Sequence, residues 1–407
     1  MTRILLTGLL LLLAACATAP GQDSTSADPP WLLVDARQTS DTRHIIVTIH
    51  GAGSELRDRL AAELTSAHGI ELVAEWPLLS IDVHCFVFRL DDGTNREAAL
   101  TALASDPRVR SAQPMQRFST LARAPQADGE DLVALQSSLS AMAIPEAHNV
   151  ATGRNVEVAI IDTGPDPEHP ELRRSVRRVH DLVGREEEIP AERHATALAG
   201  VIGAEAESGS GVTGVAPDAR LLGLRACWED EPGAQGRCSS FSLARALNLA
   251  IAQEVDVINL SLGGPSDPLL EDLVKAALAQ DIVVVAAWSE ASDMAFPGSV
   301  DGVLPVGTAE DPAIDGPPLV APALDVLTTA PGGGFDFVSG RSVATAHVSG
   351  LVALLREVRP GLAPGAVREA VLDRAVDRQA DACAALLALS VEAARPACSR
   401  PRQEASR

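Results

Sequence analysis

The stretch Val156-Glu157-Val158-Ala159-Ile160-Ile161-Asp162-Thr163-Gly164 is apolar at successive positions, then ends on a carboxylate and a glycine. A strand apolar on both faces belongs to a parallel sheet covered on both sides by helices. Similar runs recur at 219–226, 255–262, 282–287 and 302–307, with helix-period segments at 241–254 and 269–280 between them. This alternation predicts one α/β domain over 134–396, a doubly wound, mostly parallel sheet. Such sheets place their chemistry in loops at the carboxyl ends of the strands, and Asp162 stands at one.

Two further reactive side chains lie at element ends. His194 opens the small-residue helix His194-Ala195-Thr196-Ala197-Leu198-Ala199-Gly200, and Ser342 lies in the first turn of the long apolar helix after Ser339-Gly340. Singly, the three read as a turn residue, a helix start and a cap. Together, carboxylate, imidazole and hydroxyl are the parts of an activated nucleophile.

The segments Ile161-Asp162-Thr163-Gly164, His194-x-Thr196-x-Leu198-Ala199-Gly200 and Ser339-Gly340-x-Ser342-x-Ala344-Thr345-x-His347-Val348-Ser349-Gly350 resemble the three signatures of subtilisin-like serine proteases. Their Asp, His, Ser order is also that family's. The resemblance implies a serine endopeptidase acting on polypeptides, with Asp162, His194 and Ser342 as its triad. Ser261, Leu262 and Gly263 resemble the substrate-pairing strand, and Ala287 and Trp288 fall at the primary specificity pocket. One oxyanion donor would be the Ser342 N–H; the other, in the family, is an asparagine. Here Ser289 occupies that place, and neither Asn nor Gln occurs between Asp281 and Ser342. Other departures are Ala195, Arg341, Val343 and Ala346 for the family's usual Gly, Thr, Met and Pro. The resemblance requires no catalytic cofactor; structural calcium is common in the family and the acidic surplus permits it, but no metal ligand is assigned. The competing expectation is a weak or inactive module that binds peptides through the same cleft.

Residues 43–123 read strand, helix, paired strands, helix, strand (45–49, 54–68, 70–76 with 79–90, 95–105, 109–118). That is a ferredoxin-like, split βαβ order. Arg43-His44-Ile45-Ile46-Val47 and Asp106-Pro107-Arg108-Val109 resemble the subtilase propeptide, which implies that this domain assists folding and inhibits the protease in its own chain. Cleavage is expected between Phe118 and Leu135, around a linker at 124–133.

Residues 1–15 have the build of a signal peptide, and Leu13-Ala14-Ala15-Cys16 resembles a bacterial lipobox. That resemblance implies acylation of Cys16, a flexible tether over 16–42 and an outer-membrane location, since Ala17 stands where inner-membrane retention usually places Asp. Cys227 with Cys238 and Cys383 with Cys398 are plausible local disulfides, although sequence leaves the connectivity open. Alternation puts Cys85 among apolar neighbours as a buried thiol. A length of 407 residues suits two domains plus a leader, with 397–407 as a tail. The net charge of −22 and 3% aromatic content argue against a nucleic-acid partner.

Overall fold

The computed structural model describes residues 35–39, 41–51, 54–120, 122–123, 136–184, 188–205, 211–291, 294–311, 318–372 and 375–398. The expected signal segment, Cys16, the linker and most of the tail lie outside them.

The N-terminal lobe contains strand β1 (His44–His50), helix α1 (Ser54–His68), strands β2 (Ile70–Leu78) and β3 (Val83–Leu90), helix α2 (Arg96–Ala104) and strand β4 (Ser111–Pro114). Its antiparallel order β2-β3-β1-β4 is the expected ferredoxin-like sheet. Period-two alternation gives the sheet two apolar faces. Ile45, Val47, Phe86 and Phe88 pack with Leu60, Leu64 and Leu103 of the two helices, whereas Ile46, Val83, Cys85 and Val87 face the rest of the protein. Asn95 caps α2 by accepting the Ala98 N–H at 3.1 Å.

The expected strand at 109–118 is instead broken. Pro114 has no N–H to give, Met115 donates to the His44 carbonyl, and the chain leaves the lobe. Its continuation, β5 (Arg117–Thr120) and β6 (Ala122–Arg123), joins two other sheets.

The α/β region begins with short helices α3 (Ser137–Ala141) and α4 (Ile144–Ala147), then β7 (Glu157–Asp162), β8 (Val176–Asp181), α5 (Arg193–Gly203) and β9 (Arg220–Arg225). A hairpin, β10 (Cys227–Trp228) and β11 (Arg237–Ser239), leads to α6 (Ser240–Ala252), β12 (Val257–Leu260), β13 (Leu262–Gly263), α7 (Pro268–Ala279) and β14 (Val283–Ala287). β15 (Leu304–Gly307), β16 (Leu319–Val320) and the hairpin β17 (Val326–Ala330) and β18 (Gly334–Gly340) precede α8 (Arg341–Val358), α9 (Pro364–Leu372), α10 (Ala382–Ala388) and α11 (Ala394–Cys398).

Seven strands form the parallel sheet, in the order β16-β15-β14-β12-β7-β9-β8. Alternate residues of β7 serve opposite faces: Val158 and Ile160 pack with α5 and α8, Ala159 and Ile161 with α6 and α7. Edge strand β8 escaped the sequence reading because Arg177 and Arg178 are exposed and interrupt any apolar run. The run expected at 255–262 stops at Leu260, and β13 peels away to pair with β5.

The inner face of the N-terminal sheet rests on α6 and α7, so those helices are covered on both sides. Trp76 meets Phe241 edge-on at 4.6 Å, inside one core shared by lobe and α/β region. Polar contacts fix the seat. The buried Asp267 carboxylate, N-cap of α7, accepts from Gln113 Nε2 at 2.7 Å and from Ser240 Oγ at 2.5 Å, and Ser80 Oγ donates to Asn248 Oδ1 at 2.8 Å. Residues Ala36–Thr39, expected within a flexible tether, form a single turn on the same side. Ala36 is fully buried and its N–H donates to the Val183 carbonyl at 2.6 Å, so the expected tether does not extend over 36–39.

Disulfides join Cys227 to Cys238 across the β10–β11 hairpin and Cys383 to Cys398 between α10 and α11. Cys85 is a free thiol, fully buried, and burial pushes its pKa well up. No helix among the described residues is long and apolar enough to cross a membrane. Trp76→Ala should cost about 3–5 kcal/mol, the usual loss for a buried aromatic. Urea titration would measure it, and an unchanged midpoint would mean that the lobe contributes nothing to stability.

Candidate functional site

β7 delivers Asp162 to the carboxyl edge of the central sheet with no exposed surface. A buried carboxylate requires local donors. Oδ1 accepts the Thr163 N–H at 2.7 Å and faces His194 Nδ1 at 2.7 Å, while buried Oδ2 has no hydrogen-bond partner among the described residues. The hydrogen bond at Nδ1 fixes the tautomer that leaves Nε2 as an acceptor. His194 Nε2 is likewise buried and unpartnered among the described residues.

The start of α5 is held from several sides. Thr163 Oγ1 accepts the Ala195 N–H at 3.0 Å, and Glu229 Oε1 accepts that of His194 at 3.3 Å. Underneath, the fully buried guanidinium of Arg225 bonds Glu192 through Nε at 2.9 Å and Nη2 at 3.1 Å, and Asp181 through Nη1 at 3.2 Å. Glu192 in turn accepts the N–H groups of Gly164 at 2.6 Å and Glu229 at 3.0 Å. One ionic cluster thereby ties the loop after β7, the start of α5 and the end of β10. Burial pushes the Glu229 carboxyl above its ordinary value, with neighbouring Glu192 adding to the rise, against the opposing N–H groups of Gly233 and His194.

Ser342 sits in the first turn of α8, directly after β18. Its Oγ donates to the Ser261 carbonyl at 3.1 Å, and Ser261 Oγ donates back to the Ser342 carbonyl at 3.0 Å. Asn259 Nδ2 donates to Ser261 Oγ at 2.9 Å, and Ser349 Oγ to Asn259 Oδ1 at 2.8 Å. This chain of bonds sets the nucleophile candidate against the end of β12. Arg341, where the family usually has threonine, bonds Asp311 through Nε at 3.1 Å. Burial works against the Asp311 charge, yet the guanidinium holds that carboxyl below its usual value.

The cleft between these elements is occupied by the chain's own β5 and β6. β5 lies antiparallel between two strands, with Ser119 opposite both Arg237 of β11 and Gly263 of β13, and Thr120 opposite Leu262. Ala122 and Arg123 pair with Gly340 and Ser339, immediately before the nucleophile helix. Gly340 has φ +137°, a conformation that suits glycine, at the point where β6 pairs. Phe118 stacks edge-on with Phe296 at 5.6 Å over Gly264, where a Cβ would lie 2.0 Å from the ring.

Of the other candidates, Ser261, Leu262 and Gly263 are buried and carry the β5 pairing. Ala287 is buried at the end of β14; Trp288 is half-buried and its N–H donates to Val306 at 2.8 Å. Ser289 follows, half-buried, one strand away from Leu260, and its hydroxyl has no partner among the described residues. No group of three or more His, Cys, Asp or Glu is arranged for a metal ion among the described residues. Sequence reading missed Glu192, Arg225 and Glu229; the polar stretch between Cys227 and Cys238 was the available signal. Asn259→Ala should lower stability by about 1–3 kcal/mol, because it takes the acceptor from the Ser349 hydroxyl and a donor from Ser261 Oγ. Thermal unfolding checks this, with Asn259→Ser as a milder control.

Residues 153–388 match the profile described as "Subtilase family". The chain is 34% identical over 238 residues to an "Intracellular serine protease" of Paenibacillus polymyxa, covering 53% of this chain and 70% of that protein. It is 33% identical over 228 residues to the "Major intracellular serine protease" of Bacillus subtilis, covering 50% and 69%, and 34% identical to Subtilisin BL of Lederbergia lenta, covering 54% and 84%. Among solved structures, fervidolysin from Fervidobacterium pennivorans, described as a keratinolytic enzyme related to subtilisin, superposes with a TM-score of 0.68 at 22% identity. That superposition covers 86% of this chain and 61% of fervidolysin, and it supports the fold. The parallel sheet, the profile match and the serine protease relatives establish that this chain belongs to the subtilase family, as a serine-type endopeptidase.

Proposed function

We propose that the chain hydrolyses peptide bonds through Asp162, His194 and Ser342 and an acyl-enzyme, and that its first substrate is itself. The observation that carries this reading is the buried Asp162–His194 pair, with Nε2 unpartnered, beside a cleft holding a segment of chain as an antiparallel strand. In the reaction the Ser342 hydroxyl turns from Ser261 toward His194, gives its proton to Nε2 and bonds the carbonyl carbon. His194 then passes the proton to the leaving amine, and water reverses the sequence on the ester. Asp162 orients the imidazole and stabilises its charged form.

The strand pairing narrows the expected cut to one of the two peptide bonds linking Thr120 to Ala122. The N-terminal lobe would then act as intramolecular inhibitor and folding aid, seated on α6 and α7. Lipidation of Cys16 would hold the chain at the envelope, on the outer membrane, and that cut would part the lipid from the catalytic residues. No cofactor enters the chemistry, and no calcium ligand is assigned.

The oxyanion site is the weak point. Losing the side-chain amide costs subtilisin about 10²–10³ in turnover. Ser289 is the substitute donor, so a slow enzyme is expected. The alternative, a peptide-binding module without turnover, draws on the same missing amide and on the Ser342 hydroxyl being bonded to Ser261. A fluorophosphonate probe separates the two: labelling of the processed protein at Ser342, absent in Ser342→Ala, is expected, and a folded, processed protein that stays unlabelled sinks the enzyme reading. N-terminal sequencing should find a fragment beginning at Leu121 or Ala122, absent from Ser342→Ala. Ser289→Asn should raise kcat by about tenfold or more if this position supplies the missing donor; an equal or lower rate means that the oxyanion is held elsewhere.

A further inference from the structure

A cavity of about 460 Å³ opens beside Thr120, between His194 and the disulfide-closed loop 228–237. The loop grips the occupant at Thr120 by its main chain: Gly236 accepts the Thr120 N–H at 3.1 Å and Gln235 Nε2 donates to the Thr120 carbonyl at 2.9 Å. Those bonds are available to any residue, whereas a third, from the Gly236 N–H to Thr120 Oγ1 at 3.0 Å, needs a hydroxyl side chain. The cavity beyond is selective, because Glu229 lines it. The Glu229 carboxylate accepts the N–H groups of His194 and Gly233, but no cation pairs with it among the described residues. Arg225, the buried guanidinium nearby, is already shared by Glu192 and Asp181. Arg193 also lines the cavity, but Asp336 is its ion-pair partner. The wall near Thr120 therefore carries one carboxylate whose charge is unmatched, and threonine is too short to reach it.

Resting on the protease reading above, we propose that Glu229 makes this a subsite for a cationic side chain, so that the preferred substrates carry Lys or Arg where this chain carries Thr120. A lysine stem would run over Ala197, Leu198 and Ala234 along the apolar part of the cavity and set its ammonium at Glu229, an arrangement common for amphipathic cations. Complementary charge at such a site acts mainly as discrimination between partners. The cleavage segment of the chain itself, with threonine in that position, would then be a poor substrate that occupies the cleft longer.

Two measurements test this, one independent of turnover. In the Ser342→Ala chain, Thr120→Lys should melt about 2 °C or more above Thr120→Met, and adding Glu229→Gln to both should erase the difference. In the active, processed protein, peptides spanning residues 114–126 with Lys or Met in place of Thr120 should differ at least about tenfold in kcat/KM in favour of Lys. The Lys–Met comparison stands on the unaltered Glu229 background, so it survives a Glu229→Gln protein that fails to fold. Equal melting temperatures together with equal kcat/KM would overturn the subsite. A melting difference without any turnover would uphold the subsite and overturn the protease reading.

Discussion

An aspartate with no exposed surface fixes most of this architecture. A carboxylate this deeply buried needs donors, so the chain after β7 turns at once to offer the Thr163 N–H, and α5 begins where His194 Nδ1 comes within 2.7 Å. The first placement is local in sequence, but the second is not. The loop and the helix start are brought together by Glu192 and Arg225, a buried ion pair whose carboxylate accepts from the surrounding main chain. Buried ion pairs add little net stability, but removing one partner leaves a charge that cannot be solvated. The cluster thus acts as a positional constraint more than as a source of stability, and the imidazole inherits its orientation from it.

The same edge of the sheet explains why the cleft accepts a strand. β12 ends at Leu260, and the next residues leave the sheet, so β13 and β11 present unpaired backbone edges facing each other. Exposed edges recruit strands, and β5 fills the gap with antiparallel pairing on both sides. Such recognition is main-chain first, with side chains such as Phe118 adding selectivity through pockets. Lobe and cleft segment are consequently one device, since the β4 end that anchors the lobe is only two residues from the strand that fills the site.

Much of this was legible beforehand because it is written in local pattern. Doubly apolar runs marked the inner strands, alternation marked the buried Cys85, and α1 falls on the expected 54–68. The failures share a cause. β8 is an edge strand whose exposed Arg177 and Arg178 hide it, and the strand expected at 109–118 divides because β5 takes its partners from residues more than a hundred positions away. Ala36 looked like tether because its burial depends on Val183 and the core behind it. Ion clusters such as Arg225 with Glu192 and Asp181 are invisible for the same reason: each residue, taken alone, reads as solvated charge.

The order of segments along the chain sets one more constraint. If a cut falls between Thr120 and Ala122, everything upstream is joined to the catalytic residues only by packing. The contacts that remain include the Trp76–Phe241 seat, the Asp267 hydrogen bonds, the buried turn at Ala36–Thr39 and the β5 pairing, all made by the upstream fragment. Several anchoring points on one fragment raise the effective concentration of each for its site, so the lobe would dissociate slowly and the new chain end would stay near Ser342. Release from the upstream segment and opening of the cleft are then the same event, governed by how long that packing lasts.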